Sequence, residues 1–325
     1  MSAGRRFATA QSTLVRRSCS VLALAMALCY VGAAWAKTLE VGPDQKFKAP
    51  SEAIAAAADG DVVEIAPVKG GYFDCAVLRA NHLTVEGKGP DVILTDKTCE
   101  GKAIFVTAGD DITIRNITFT RARVPDENGA GIRAEGSNLT VEKSRFINNE
   151  NGILAADAPN SAIRILDSEF TGNGKCPPGG SCAHGIYVNQ LALLHIEGTK
   201  FFGTHDGHHI KSRAARTELI GNDIEDGPNG TSSYLVDISN GGTLIMENNI
   251  LEKGRNCTNH IAAVVIGAEG VTHRTNELTF KNNQFTNDMS QGTIFVRNMT
   301  ATEALLTGNK LKGQIVPLSG DGSVK

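Results

Sequence analysis

Basic charge is not in excess in this chain: 32 Lys and Arg stand against 35 Asp and Glu. Four of the basic residues, Arg5, Arg6, Arg16 and Arg17, lie in the first 36 residues, which hold no acid. The remainder therefore carries 28 against 35, a net of −7. That excludes the cationic shell of a nucleic-acid-binding surface, and an acidic ligand would need a local positive cluster. Helix signals are few after one short stretch near the start. No linker or shift of composition divides the chain, so a single domain is expected. The cysteine spacings match no common zinc pattern, and no metal ligand set is assigned.

The first segment combines that positive start with a mostly apolar run, residues 21–31, and then Ala34-Trp35-Ala36, an Ala-x-Ala cleavage site. Residues 1–36 are read as a signal peptide, and the mature protein as secreted or periplasmic with no membrane anchor. The seven cysteines then become five. In an oxidising compartment Cys176 and Cys182, on either side of Pro-Pro-Gly-Gly-Ser, are expected to form a disulfide. Whether Cys75 pairs with Cys99 is left open, and Cys257 is left over.

What the chain does have is a repeat of spacing. A bulky apolar residue recurs as Phe119, Phe146, Phe170, Phe201, Ile224, Ile250, Phe285 and Leu311, at intervals of 23 to 35 residues. Short alternating runs precede most of these anchors, among them Ile112-Thr-Ile114, Leu139-Thr-Val141 and Leu278-Thr-Phe280. Asn222, Asn248, Asn283 and Asn309 stand two positions before the later anchors. A period in the twenties with strand patterning means stacked coils that bury their apolar faces against one another. Aligned Asn side chains suit corners and can hydrogen-bond from coil to coil. The expected fold is all-β, a parallel β-solenoid. Residues 37–60 form an opening strand and a capping helix with Ser51 as its N-cap. The coils run from 61 to 318, and 319–325 form a flexible tail.

The opening Val41-Gly-Pro43, Pro50-Ser-Glu-Ala-Ile54, Asp59-Gly-Asp61 and Leu83-Thr-Val85-Glu-Gly87 resembles the start of exported right-handed parallel β-helix proteins of the pectate-lyase-like superfamily. The resemblance covers nearly the whole mature chain. It implies a single right-handed parallel β-helix with an N-terminal α-helical cap. Its members include lyases, hydrolases, epimerases and non-catalytic binding proteins, so it does not choose a reaction.

A second strand in each coil gives a second ladder: 131–135, 152–156, 185–189, 209–213, 235–239, 263–267 and 293–297. Alternation turns Ile132, Ile153, Ile186, Ile210, Val236, Val264 and Ile294 inward. The outward positions then read Arg133 with Glu135, Leu154 with Ala156, Tyr187 with Asn189, His209 with Lys211 and Arg213, Asp237 with Ser239, Val265 with Gly267, and Phe295 with Arg297. Just before these strands stand His184, His208 and Tyr234, either a structural ladder or part of a site. Lys211 and Asp237 face each other one coil apart.

Cleaving a uronic-acid polymer by elimination needs a cation for the carboxylate, a base and an acid. Arg213, Lys211 or His209, and Tyr187 or Tyr234 supply those types, with Asp237 orienting Lys211. His184, Asn189, Asp206, His208 and Tyr234 are the candidate substrate-binding residues. The stretch Ile210-Lys211-Ser212 followed by Asn222 also resembles the base-bearing segment of alginate and chondroitin lyases of this fold, although Leu235–Gly242 lacks that family's arginine. Asp206-Gly207-His208 resembles the Asp-Pro-His motif of mannuronan epimerases, with Gly in place of Pro. Hydrolysis would instead use two carboxylates, Asp206 and Asp237. A non-catalytic glycan-binding or envelope-assembly solenoid is the remaining alternative. The expected partner is a polysaccharide or envelope glycan and the expected state a monomer. No cofactor is assigned, with calcium left open. Insertions in the coils near residues 176–182 and 268–275 should wall the polar face.

Overall fold

The computed structural model of the protein describes residues 36–325, so the expected signal peptide lies outside the described residues except for Ala36. The chain winds into coils that lay their strands in turn into three parallel sheets of 12, 9 and 10 strands. One coil, for example, supplies Leu139–Glu142, Arg145–Ile147 and Asn151–Ala155 in turn. Most strands are short, such as Arg145–Ile147, because the chain must reach a corner within a few residues. The corners are often turned by residues with positive φ, among them Asn116, Asn148 and Asn248.

Two features hold the interior. Phe119, Phe146, Phe170 and Phe201 stack with centroid spacings of 5.2, 4.5 and 4.8 Å. The inward residues Ile132, Ile153, Ile186, Ile210, Val236 and Val264 are fully buried beside them. The second feature is a polar column. Ser144, Ser168, Thr199, Asn222, Asn249, Asn283 and Asn309 occupy the same corner of successive coils. Each of the first six donates its backbone N–H to the side-chain oxygen of the next, at 2.9–3.2 Å. The asparagines add a side-chain chain, Asn222 Nδ2 to Asn249 Oδ1 at 3.1 Å and Asn249 Nδ2 to Asn283 Oδ1 at 2.8 Å.

These contacts correct the expected column. The ladder member is Asn249 rather than Asn248, and the anchor paired with Ile224 and Phe285 is Leu251 rather than Ile250. In Asn248-Asn249-Ile250-Leu251 both residue types come in adjacent pairs, so a slip of one residue leaves the pattern intact while reversing every side chain. Asn248 turns the corner with φ 59, and Ile250 points outward, 44% exposed.

The strand Thr293–Asn298 also sits differently from the expected alignment: Val265 pairs with Arg297, and Val264 with Val296. Phe295 is buried against Phe285 at 5.2 Å between centroids, not outward. At the other end the helix Pro50–Ala56 follows Ala49 as N-cap, with Pro50 in the first turn, instead of starting from Ser51. Glu52 accepts the backbone N–H groups of Lys48 and Ala49. The coils do not stop at 318: Ile315–Ser319 pairs with the strand before it, and Gly322–Val324 pairs with Ala304–Leu306. Residues 319–325, expected as a flexible tail, thus close the last coil.

Cys176 is bonded to Cys182 (Cα–Cα 4.2 Å) and Cys75 to Cys99 (5.5 Å), while Cys257 is free and buried. Two measurements check this frame. Replacing Asn249 by Leu strands the Asn222 backbone N–H, and each stranded buried group should cost about 1–3 kcal/mol, read as a lower urea midpoint. Peptide mapping without reductant should return both cross-linked pairs and a single free thiol at Cys257. Free thiols at 176 and 182 would contradict the arrangement.

Candidate functional site

One outward row runs along the ten-stranded sheet in the register Val106, Arg133, Leu154, Tyr187, Lys211, Asp237, Val265, Arg297. Strand pairing sets neighbours on this row about 4.8 Å apart. Toward the N-terminal end the row is covered: Val106 and Leu154 join Ala103 and Ala130 in a small apolar cluster outside the sheet, with Tyr187 at its margin. The polar stretch begins at Tyr187.

Lys211 lies at its centre. The Nζ atom donates to Asp237 Oδ2 at 3.0 Å and to Glu269 Oε1 at 2.5 Å. Arg213, two residues on, donates through Nη1 to the Tyr187 phenol oxygen and to Asn189 Oδ1, and through Nη2 to Glu269 Oε2. Asn189 is itself tied to the sheet by its Nδ2 bond to Ala155 O at 3.0 Å. Arg213 also lies over the Tyr187 ring, 5.1 Å from its centroid.

Burial would discharge Lys211, but Asp237 and Glu269 outweigh it and hold the ammonium above the ordinary lysine pKa. Burial pushes the Asp237 carboxyl above its usual range, with Lys211 opposing. Burial likewise opposes ionisation of Glu269, yet Lys211 and Arg213 bring its carboxyl below the ordinary value.

The residues before the strands form a ring ladder. His184 and His208 stack at 4.8 Å, and His208 meets Tyr234 at 5.4 Å. Each imidazole accepts the backbone N–H of the next coil at Nδ1: His208 N to His184 Nδ1 at 2.9 Å, Tyr234 N to His208 Nδ1 at 3.1 Å. Asn151 Oδ1 starts the series by accepting His184 N. An Nδ1 that accepts leaves the neutral ring's proton on Nε2, and His208 Nε2 lies 3.4 Å from Asp237 Oδ2. Burial lowers His184 well below its usual pKa, and burial with Lys211 lowers His208 to about 3. Gly207 is required beneath this ladder, because a Cβ there would sit 2.0 Å from Ala183 O.

One expected catalytic residue lies off the outward face, and Asp206 is engaged at the corner just before it. His209 is fully buried, its ring bonded to Thr204 Oγ1 at 2.8 Å and Asp226 Oδ1 at 3.0 Å, so it is not on the outward face. Alternation failed here because His209 precedes the strand Ile210–Ser212, where the chain still turns the corner. Asp206 is held at that corner with φ 60, accepting from Thr231 Oγ1 at 2.8 Å. The carboxylate that shares a cation with Asp237 is instead Glu269, which sequence reasoning missed. It lies in the insertion expected to wall this face, and an insertion carries no coil register from which to read it. Among the described residues no group of three or more His, Cys, Asp or Glu side chains is arranged to hold a metal ion, and no helix is long and apolar enough to cross a membrane.

The family model described as the right handed beta helix region matches residues 63–179. With the three parallel sheets, this makes the fold a right-handed parallel β-helix. No curated protein sequence matches the chain. Among solved structures it is similar to the tailspike protein gp49 of Acinetobacter baumannii bacteriophage Fri1, a capsular polysaccharide depolymerase (TM-score 0.46, 12% identity, 87% of this chain and 56% of that one). The chain therefore spans little more than half of the tailspike. It is also similar to the A-module of the Azotobacter vinelandii mannuronan C-5 epimerase AlgE4 (0.40, 13%, 84% and 93%). A third is the DFA-IIIase of Arthrobacter chlorophenolicus A6 without its lid (0.43, 12%, 83% and 84%). At these identities the reaction has to be argued from the site itself.

The ladder has a pH signature. In the unfolded chain His184 and His208 take up a proton near the usual value of about 6.5, whereas the folded protein excludes it to far lower pH. Their contribution is complete above that value and is lost as pH falls below it, by up to about 1.4 kcal/mol per pH unit for each imidazole. Replacing His208 by Asn, which can accept the same backbone N–H as Asn151 does, should flatten the fall. Denaturant unfolding at pH 7, 6 and 5 compares the two slopes.

Proposed function

We propose that the protein acts outside the cytoplasm on a uronic-acid-containing polysaccharide, moving a proton beside the sugar carboxylate to give elimination or epimerisation. The observation that carries this is the paired hold of Lys211 and Arg213 on one carboxylate, Glu269, with one oxygen on each cation. A uronate entering there would be neutralised in the way that stabilises the enolate-like intermediate. Two disulfides suit an oxidising compartment.

The site then distributes the roles. Lys211 stays protonated and serves as a fixed charge rather than a base, with Asp237 keeping it so. His184 and His208 use Nδ1 to hold the backbone and carry their proton on Nε2, so they form the floor. Tyr187 is the proton carrier: Arg213 donates to its oxygen, so a cation already faces whatever charge that oxygen bears during transfer. In elimination Tyr187 reacts as its phenolate, and that oxygen takes the proton from the carbon beside the carboxylate. A carbon–carbon double bond forms, the bond to the leaving oxygen breaks, and the proton passes to that oxygen. In epimerisation a water on the other face gives the carbon its new proton, and the hydroxide left behind takes up the proton carried by Tyr187.

A second reading is favoured by one observation. Asp237 and Glu269 bond the same ammonium, so the bonded oxygens are no farther apart than about 5.5 Å, the separation at which retaining glycosidases work. Their carboxyls are also displaced in opposite directions, as an acid and its partner require.

Incubation with a panel of uronic-acid and neutral glycans separates these readings. Unsaturated ends formed from uronates, with Tyr187→Phe slower by about 10²–10⁴, support elimination. Altered sugar composition at unchanged length supports epimerisation. Reducing ends without new absorbance support the carboxylate pair, and glycans bound but left unchanged support a binding solenoid.

A further inference from the structure

We propose that Glu269 is a built-in stand-in for the substrate carboxylate and acts as a specificity filter at the site, an inference that rests on the uronate reading above. Lys211 and Arg213 are met by two carboxylates of unlike standing. Asp237 belongs to the strand Val236–Ile238 and its side chain is 4% exposed, whereas the Glu269 side chain is 42% exposed. Asp237 is therefore the fixed partner and Glu269 the exchangeable one.

With both in place the two cations and two anions cancel, and the site offers no free positive charge to an incoming anion. Glu269 stands between Gly267 and Gly270, whose φ angles are 79 and 95. Its backbone is held, with Gly267 N donating to Ile238 O at 2.8 Å and Glu269 N to Ser239 O at 2.9 Å. Exchange thus needs only rotation of the side chain into water, not opening of the loop.

Exchange has a chemical condition. A neutral sugar that displaced Glu269 would leave Arg213 without a carboxylate and Lys211 with Asp237 alone, which is unfavourable for partly buried cations. An acidic sugar replaces one carboxylate with another and leaves both cations paired. Glu269 thereby excludes neutral glycans and lowers the affinity for acidic ones.

The test compares the full mature protein with Glu269→Gln, which keeps the size of the side chain and removes its charge. Binding of defined oligouronates and of neutral oligosaccharides of equal length is measured by calorimetry, and thermal unfolding checks that the variant is folded. The expected result is oligouronate binding tighter by about three- to tenfold and neutral oligosaccharides gaining affinity as well, because no ion pair has to be broken to admit them; a neutral series unchanged would overturn the exclusion. Equal oligouronate affinity in the two proteins would overturn the filter and leave the uronate reading standing. Absence of oligouronate binding in both would overturn the uronate reading and the filter with it. Loss of turnover in the variant without a gain in affinity would make Glu269 a reacting carboxylate and overturn its role as a stand-in.

Discussion

Parallel pairing of each coil with the next is the constraint on which the rest depends. It holds equivalent positions about 4.8 Å apart, so whatever occupies a position meets its counterpart in the neighbouring coil. Phenylalanines at one position become a stack, and Ser, Thr and Asn at one corner become a continuous hydrogen-bonded column. The corner column satisfies buried backbone N–H groups that the turns remove from the sheets. Each coil therefore depends on its neighbours for both its apolar packing and its polar partners.

The same spacing makes the outward face chemically concentrated. A phenol, an ammonium and a carboxylate on consecutive coils are brought within reach of one another by pairing alone. Below them the imidazoles of His184 and His208 serve the backbone, much as the corner asparagines do. The histidine ladder is thus first a structural element, and its neutral, stacked rings give the polar row a fixed floor. The row's charges are balanced by one carboxylate from within the sheet and one from outside it. Only the latter comes from an insertion, which is free of the coil register.

Much of this was legible because a solenoid repeats its own pattern. The anchor spacing, the inward series from Ile132 to Val264, and the row of Tyr187, Lys211 and Asp237 follow from alternation and period. Where the pattern is locally ambiguous it fixes no register. Asn248 and Asn249 are both asparagine, and Ile250 and Leu251 are both aliphatic, so only actual pairing chooses between them. His209 was misplaced for a related reason: a residue at the junction of corner and strand obeys neither rule, and a short side-chain cluster with Thr204 and Asp226 drew it inside.

The sequence by itself determined the class of fold, the capping helix near the start and the coils on which polar chemistry gathers, because these depend on local alternation and on a spacing that can be counted. Only the tertiary structure decided that Glu269 closes over Lys211 and Arg213, that His209 is buried, and that His184 and His208 hold backbone amides. Those facts depend on where a loop of irregular length returns and on which way a corner residue turns. Neither is encoded in period or alternation; both follow from packing between segments far apart in the chain.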